Sequence, residues 1–189
     1  ASARSGTIRH GGYHFAGLIG AAAPAGTHVS QMYFDIADAR LDYHPDWPAL
    51  EEFSALVQMR NGEMLATIPR GRLGSSRLGS PATLSLSERT GTALLTINAS
   101  HLLRQEDLRY WLQNTPLREV TGGGFDGWEV SGTNRLNAEV VLALDGQVET
   151  RTDLRLQLAR SALTVPALEL SCRELSGSID YRSRSGVSG

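Results

Sequence analysis

The strongest constraint on this chain is a two-residue rhythm of apolar and polar side chains. From Arg135 to Leu144, the residues Leu136, Ala138, Val140, Leu142 and Leu144 share one phase, while Arg135, Asn137 and Glu139 share the other. Val141 and Ala143 soften the polar phase towards its end. The stretch from Thr150 to Arg160 repeats the pattern, with Leu154, Leu156 and Leu158 against Arg151, Asp153, Arg155 and Gln157. Successive side chains of an extended strand point to opposite faces, so each run predicts a strand with one apolar face and one wet face. Asp145-Gly146 lies between the runs and suits the left-handed positions of a tight turn. An antiparallel hairpin with long strands is expected here.

At lower contrast the same rhythm predicts strands near Thr7–Ala16, His28–Ile36, Ala39–Tyr43, Phe53–Arg60, Glu63–Pro69, Arg72–Leu78, Thr83–Ser87 and Ala93–Ser100. Asn61-Gly62 marks a second hairpin, and Arg89-Thr90-Gly91 turns the next pair. Beyond Pro166, Leu168, Leu170 and Cys172 share a phase, and Ile179 and Tyr181 belong to a further strand. Strands at such short spacing predict a mainly β fold.

One segment departs from the rhythm. From Gln105 to Asn114, Leu108, Trp111 and Leu112 recur at i, i+3 and i+4, the spacing of one helical face. A short amphipathic helix is expected, stopping near Asn114 because Pro116 disfavours helical geometry in Thr115. Docked on the sheet, it would bury Leu108, Trp111 and Leu112. Gly122-Gly123-Gly124 follows, so an internal joint is expected at 115–124, inside a single segment spanning 1–189.

Composition removes several functional classes. The chain has 189 residues and a net charge of −2, and its 18 basic residues are all arginines dispersed along the sequence. Nucleic-acid binding needs a concentrated basic face, so none is expected. No apolar run approaches the roughly 18 residues of a membrane-spanning helix, and the best candidate, Phe15 to Ala25, is interrupted by Pro24. No basic stretch precedes an apolar run at Ala1, so no signal peptide is read, and both ends look cut from a longer protein. A single cysteine, Cys172, excludes an internal disulfide framework and a cysteine-based zinc site.

The chemistry-bearing residues read as structural. There is no GxSxG elbow, phosphate-binding loop, HExxH or CxxC, and the Gly122–Gly124 run precedes a strand rather than a helix. His10, His14, His28, His44 and His101 are scattered, and Gly11-Gly12 between the first two argues against a helical metal pair. Glu51-Glu52 and Glu106-Asp107 read as polar decoration of apolar segments. Cys172 reads as a buried small hydrophobe in phase with Leu168 and Leu170, and Arg182-Ser183-Arg184 as a solvated chain end. No catalytic residue, cofactor or metal is expected.

Four stretches carry a family resemblance. Phe34 to Leu50, ending in Leu41-Asp42-Tyr43-His44-Pro45-Asp46-Trp47-Pro48-Ala49-Leu50, is similar to the LxYxPxWPxL element of YhdP-type AsmA-like proteins. Arg70-Gly71-Arg72-Leu73-Gly74 resembles the SGxLxG-like element that follows, with Arg70 where a small residue is common. Phe125-Asp126-Gly127-Trp128-Glu129-Val130-Ser131-Gly132, leading into Leu136-Asn137-Ala138-Glu139, resembles the GWxVxG element, with Ala143-Leu144 where Pro-Leu is usual. Leu168-Glu169-Leu170 and Leu175-Ser176-Gly177-Ser178-Ile179-Asp180-Tyr181 resemble LxLxxLxGxLxY.

The resemblance implies more than the strands do. Such proteins are anchored in the inner membrane of Gram-negative bacteria by a helix absent from this sequence, and project through the periplasm. A long curled antiparallel sheet encloses an apolar groove along which phospholipid acyl chains move towards the outer membrane. On that reading Leu136, Ala138, Val140, Leu142, Leu144, Leu154, Leu156 and Leu158 line the groove, and Leu108, Trp111 and Leu112 set the helix against it. The partners are then phospholipid acyl chains and neighbouring segments of the same long chain. The strands alone leave an alternative open: the same leucines could fill a β-sandwich of a structural or protein-binding envelope module, whose sheet edges pair with neighbours. Trp47 and Trp128 read as anchors that pack their own loops.

Overall fold

Among the described residues the alternation resolves into nine strands and one helix. In the computed structural model, which describes residues 2–17, 28–42, 48–89, 91–114, 118, 126–143 and 150–185, these are β1 (Ser2–Gly17), β2 (His28–Asp42), β3 (Leu50–Arg60), β4 (Glu63–Leu73), β5 (Ser76–Arg89), β6 (Thr92–Leu103), α1 (Gln105–Asn114), β7 (Glu129–Ala143), β8 (Thr150–Val165) and β9 (Leu170–Ser185). A single 3-10 turn, Pro166–Leu168, joins β8 to β9. The strands form one sheet in chain order, each antiparallel to the last. Extensive strand contacts run only between consecutive strands, so the sheet is open and has no second sheet facing it. The alternative sandwich packing is not formed: among the described residues the apolar face meets no opposing layer of strands.

Several expected boundaries move, each for a physical reason. The expected strands at His28–Ile36 and from Ala39 are one strand, β2, ending at Asp42, because a bulge at Asp38, with φ 49°, resets the phase between Ile36 and Ala39; Tyr43 lies outside the described residues. The stretch after Pro166 is likewise one strand, β9, whose phase resets at Glu174 with φ 58°. Arg72–Leu78 is not a strand but two strand ends around a turn at Gly74, with φ 62°, and Ser75. The strand expected to end at Pro69 continues to Leu73, through an irregularity in its pairing with β5 between Ile68 and Arg72. Arg182-Ser183-Arg184 is no loose end: it lies in β9, opposite Thr152, Asp153 and Arg151.

The hairpin around Asp145-Gly146 forms as expected, with β7 and β8 paired from Glu129↔Thr164 to Val141↔Arg151, although the dipeptide itself lies outside the described residues. Asn61-Gly62 turns β3 into β4 with φ 49° and 91°, both left-handed. The Asn61 Oδ1 also accepts the Ser30 amide at 2.9 Å, tying that turn to β2.

Register shifts fall at comparable heights on β2 to β6 and, separately, nearer the α1 end on β7 to β9, with none between β6 and β7. Asp38, Glu52, Gly132, Arg160 and Glu174 all have left-handed or positive φ, and each sits where pairing slips. A bulge adds a residue to one strand, bends it and raises its twist. On β2 to β6 the slips line up into a crease across the strands. Along the crease the inner face is crowded, and small side chains hold it: Ala39, Ala55 and Ala82 are buried there beside Phe53 and Ile68. These residues are covered by the curl of their own sheet.

Candidate functional site

Antiparallel pairing puts directly opposed residues on one face, and here apolar residues oppose apolar residues across most of the sheet. One row runs Tyr13, Met32, Met59, Met64, Leu86, Leu95 and Leu142 from β1 to β7. The next runs Phe34, Val57, Ala66, Leu84, Ile97 and Val140. Further rows carry Ala99, Ala138, Leu154 and Tyr181, then Leu136, Leu156 and Ile179. At about 4.8 Å between strands, nine strands span roughly 38 Å. The result is an apolar trough, most of whose lining is only half-buried because nothing is stacked on it.

The structure brings Leu136, Ala138, Val140, Leu142, Leu154, Leu156 and Leu158 together on this face, through pairs such as Leu136↔Leu156 and Ala138↔Leu154. Leu144 lies outside the described residues. The lining contributed by β2 to β6 was the part the sequence reading passed over. Its signal was present in the alternation of Leu84 with Leu86 and of Leu95 with Ile97, at lower contrast than in β7 and β8.

The opposite face is mostly polar and cross-linked by ion pairs, with Tyr33, Leu56, Leu65 and Leu102 exposed among them. Arg155 meets Asp180 at 2.6 Å, Arg40 meets Glu51 at 2.6 Å, and Arg151 bridges Glu139 and Asp153. The Arg155 guanidinium holds the Asp180 carboxyl below the usual carboxylate range. These pairs are solvent-exposed and add little stability, but they keep that face wet and so fix which side is the trough.

Into the trough sits α1. Its buried Leu108 and Trp111, with Leu103 at the end of β6, pack on Leu73, Val130, Leu136 and Leu156. Leu112 lies in α1, but its side chain is outside the described residues. Burying Leu108 and Trp111 contributes about 1.5–3 kcal/mol each. The helix thus sits in the trough mainly over β7, between Leu156 of β8 and Leu73 at the end of β4.

Two polar residues accompany the plug. Asp107 is no surface decoration: it is buried, its Oδ1 accepts the Ser75 amide at 3.0 Å, and its Oδ2 accepts the Ser75 hydroxyl at 2.8 Å and the Ser76 hydroxyl. The Ser76 Oγ in turn accepts the Arg104 amide at 3.0 Å, closing the helix N-terminus. Burial acts to raise the Asp107 carboxyl, but the donors from Ser76 and Ser75 outweigh it and hold the group below its ordinary value. His101 lies buried edge-on to Trp111, with ring centroids 5.8 Å apart. Burial pushes its pKa down to about 4, and its Nδ1 has no hydrogen-bond partner among the described residues.

Other candidates stay apart. Cys172 is half-buried on β9 rather than fully enclosed, opposite Leu163. Among the described residues no three His, Cys, Asp or Glu side chains converge as metal ligands, and no helix is long and apolar enough to cross a membrane. Trp47 and the 115–124 joint, apart from Arg118, lie outside the described residues.

An open antiparallel sheet with one continuous apolar face and a helix seated in it is a β-trough. The YhdP protein family model matches residues 6–188, and the chain belongs to that family. It is an AsmA-like lipid-transport family associated with the Gram-negative envelope. No curated protein and no solved structure matches the chain.

Proposed function

We propose that this chain is one segment of a conduit that carries phospholipid between the inner and outer membranes, with the acyl chains in the trough. The observation that supports it best is the unbroken apolar face across β2 to β7, half-buried and uncovered by any second layer. Each methylene taken from water into such a surface gains about 0.8 kcal/mol, so an acyl chain needs no dedicated pocket. Headgroups stay at the open mouth, in water. The chain then belongs to the periplasmic part of a protein anchored in the inner membrane by another segment. The free edges of β1 and β9 are where neighbouring segments would add strands.

The test places one charge in the trough of the full-length protein. Val140→Asp and Leu95→Arg put an unpaired charge against hydrocarbon, which costs several kcal/mol to any passing acyl chain. Because the trough is open, a long side chain can turn its head to water and the sheet stays folded. Protein level, protease resistance and outer-membrane permeability are read in the same cells. The expected result is a folded protein that no longer supports the barrier. Normal permeability with folded protein would show that lipid does not pass these residues. Loss of the folded protein for both variants would show that they are plain core.

A further inference from the structure

On the reading of the trough as a lipid path, we propose that α1 is a releasable plug. Asp107 latches it to the β4–β5 turn, and unlatching opens the trough floor beneath Leu108 and Trp111 to an acyl chain.

The argument starts from how differently α1 and the strands are held. Each interior strand is fixed by hydrogen-bond ladders on both sides, whereas α1 is fixed by side chains alone. A ten-residue helix is too short to persist by itself in water, so it exists because it is docked. Its docking has an apolar part, Leu108 and Trp111, and a polar part, Asp107. All the donors to that carboxylate come from two consecutive residues of one turn, Ser75 and Ser76. The carboxylate lies so close to the turn that a Cβ built on Gly74 would come within 2.5 Å of Oδ1. Three hydrogen bonds hold this latch, whereas an interior strand is held along its whole length on both sides, so the latch opens with far fewer bonds broken.

Beneath the helix, Leu136 and Leu156 belong to the same face as the open lining at Leu84, Leu95 and Leu142. The surface that Leu108 and Trp111 cover is therefore continuous with the surface a lipid would occupy. Helix and acyl chain compete for it, and the latch sets the balance.

The experiment uses the purified chain with photo-leucine in place of leucine, mixed with vesicles of phosphatidylethanolamine and phosphatidylglycerol. Lipid adducts are mapped by peptide mass spectrometry, and hydrogen exchange is followed over residues 105–114. Three variants loosen the latch: Ser75→Ala removes one donor, Asp107→Asn removes the charge, and Gly74→Ala drives the carboxylate off the turn. In the parent chain, adducts are expected at Leu84, Leu95 and Leu142 and not at Leu136 or Leu156. Loss of a charge-assisted hydrogen bond should raise exchange in α1 by about tenfold or more, with the strands unchanged. Adducts at Leu136 and Leu156 should rise in the same order as exchange. Faster exchange with no new adducts would overturn the plug, as would equal adducts at Leu156 in the parent chain. Adducts at no leucine of any variant would overturn the lipid reading itself. Ser75→Ala, the mildest change, keeps the test decisive if Asp107→Asn fails to fold.

Discussion

His101 makes stability depend on pH in a window that can be worked out from its surroundings. The ring is 5% exposed, packed against Trp111, and stays neutral until about pH 4, whereas an unfolded histidine protonates near 6.5. Between those values the unfolded chain binds the proton more readily than the folded one, so lowering the pH favours unfolding. The contribution is complete above 6.5, falls through the window and is spent near 4. The full difference corresponds to about 3 kcal/mol, a large share of the 5–15 kcal/mol typical of a domain. Asp107, held low by its serine donors against burial, and Asp42, held low by Arg4, titrate beneath this window and leave it to histidine.

The assay is urea unfolding at intervals from pH 7 to pH 4, for the parent chain and for His101→Phe. Phenylalanine keeps a flat ring against Trp111 and removes an Nδ1 that has no partner among the described residues. Burying such an atom costs about 1–3 kcal/mol, so the variant should be at least as stable at pH 7. The parent should lose stability down the window while the variant stays nearly level, the two curves diverging by about 3 kcal/mol near pH 4. Parallel curves would refute the reasoning, because they would mean that His101 takes up its proton equally in both states.

Three further outcomes follow from the packing. Trp111→Ala should destabilise by about 3–5 kcal/mol in the same urea assay, because the residue is 3% exposed and roofs Leu136 and Leu156. Gly132→Ala should cost about 1–3 kcal/mol, since φ is 107° and the new Cβ would lie 2.9 Å from the Ser161 Cα, which is backbone and cannot swing away. Arg155→Ala, by contrast, should leave the melting temperature unchanged, because its partnership with Asp180 is at the solvent surface.

What could be read in the sequence was whatever depended on local periodicity. The helix Gln105–Asn114 falls where Leu108, Trp111 and Pro116 place it, and β7 with β8 follow the leucine rhythm that marks them. The reading failed where the periodicity is deliberately broken. At Asp38 the phase slips by one residue, so Ile36 and Ala39 return to the same inner face although their spacing is odd. Local pattern reads that slip as a strand end, while the ladder on β3 carries the strand through it. Asp107 was illegible for a different reason. Its partners, Ser75 and Ser76, are some thirty positions away, and only the packed helix brings them within hydrogen-bond reach. The trough lining on β7 and β8 was legible, whereas its extension to β2 depended on register, which no single strand encodes.

The bulges also explain why this sheet is a trough and not half of a sandwich. A flat apolar face on nine strands would be an aggregation surface and would need a second layer to cover it. Here Asp38, Glu52, Arg160 and Glu174 each take a left-handed conformation that costs a non-glycine residue energy, and ion pairs such as Arg72 with Glu52 attend the bulges from the polar side. The bend at Asp38 and Glu52 lets Ala39, Ala55 and Ala82 pack with Phe53 and Ile68 across β2 to β5 without a partner sheet. Larger residues at those three positions would force the curl open, since small side chains are what allow the two flanks to approach. Away from the crease the same face carries Met32, Met59, Met64, Leu86 and Leu95, long side chains that, on the proposed reading, would adapt to an acyl chain. Curvature and lining are therefore set by different residues, and a change at Ala55 should alter the shape of the trough while a change at Leu95 alters what it holds.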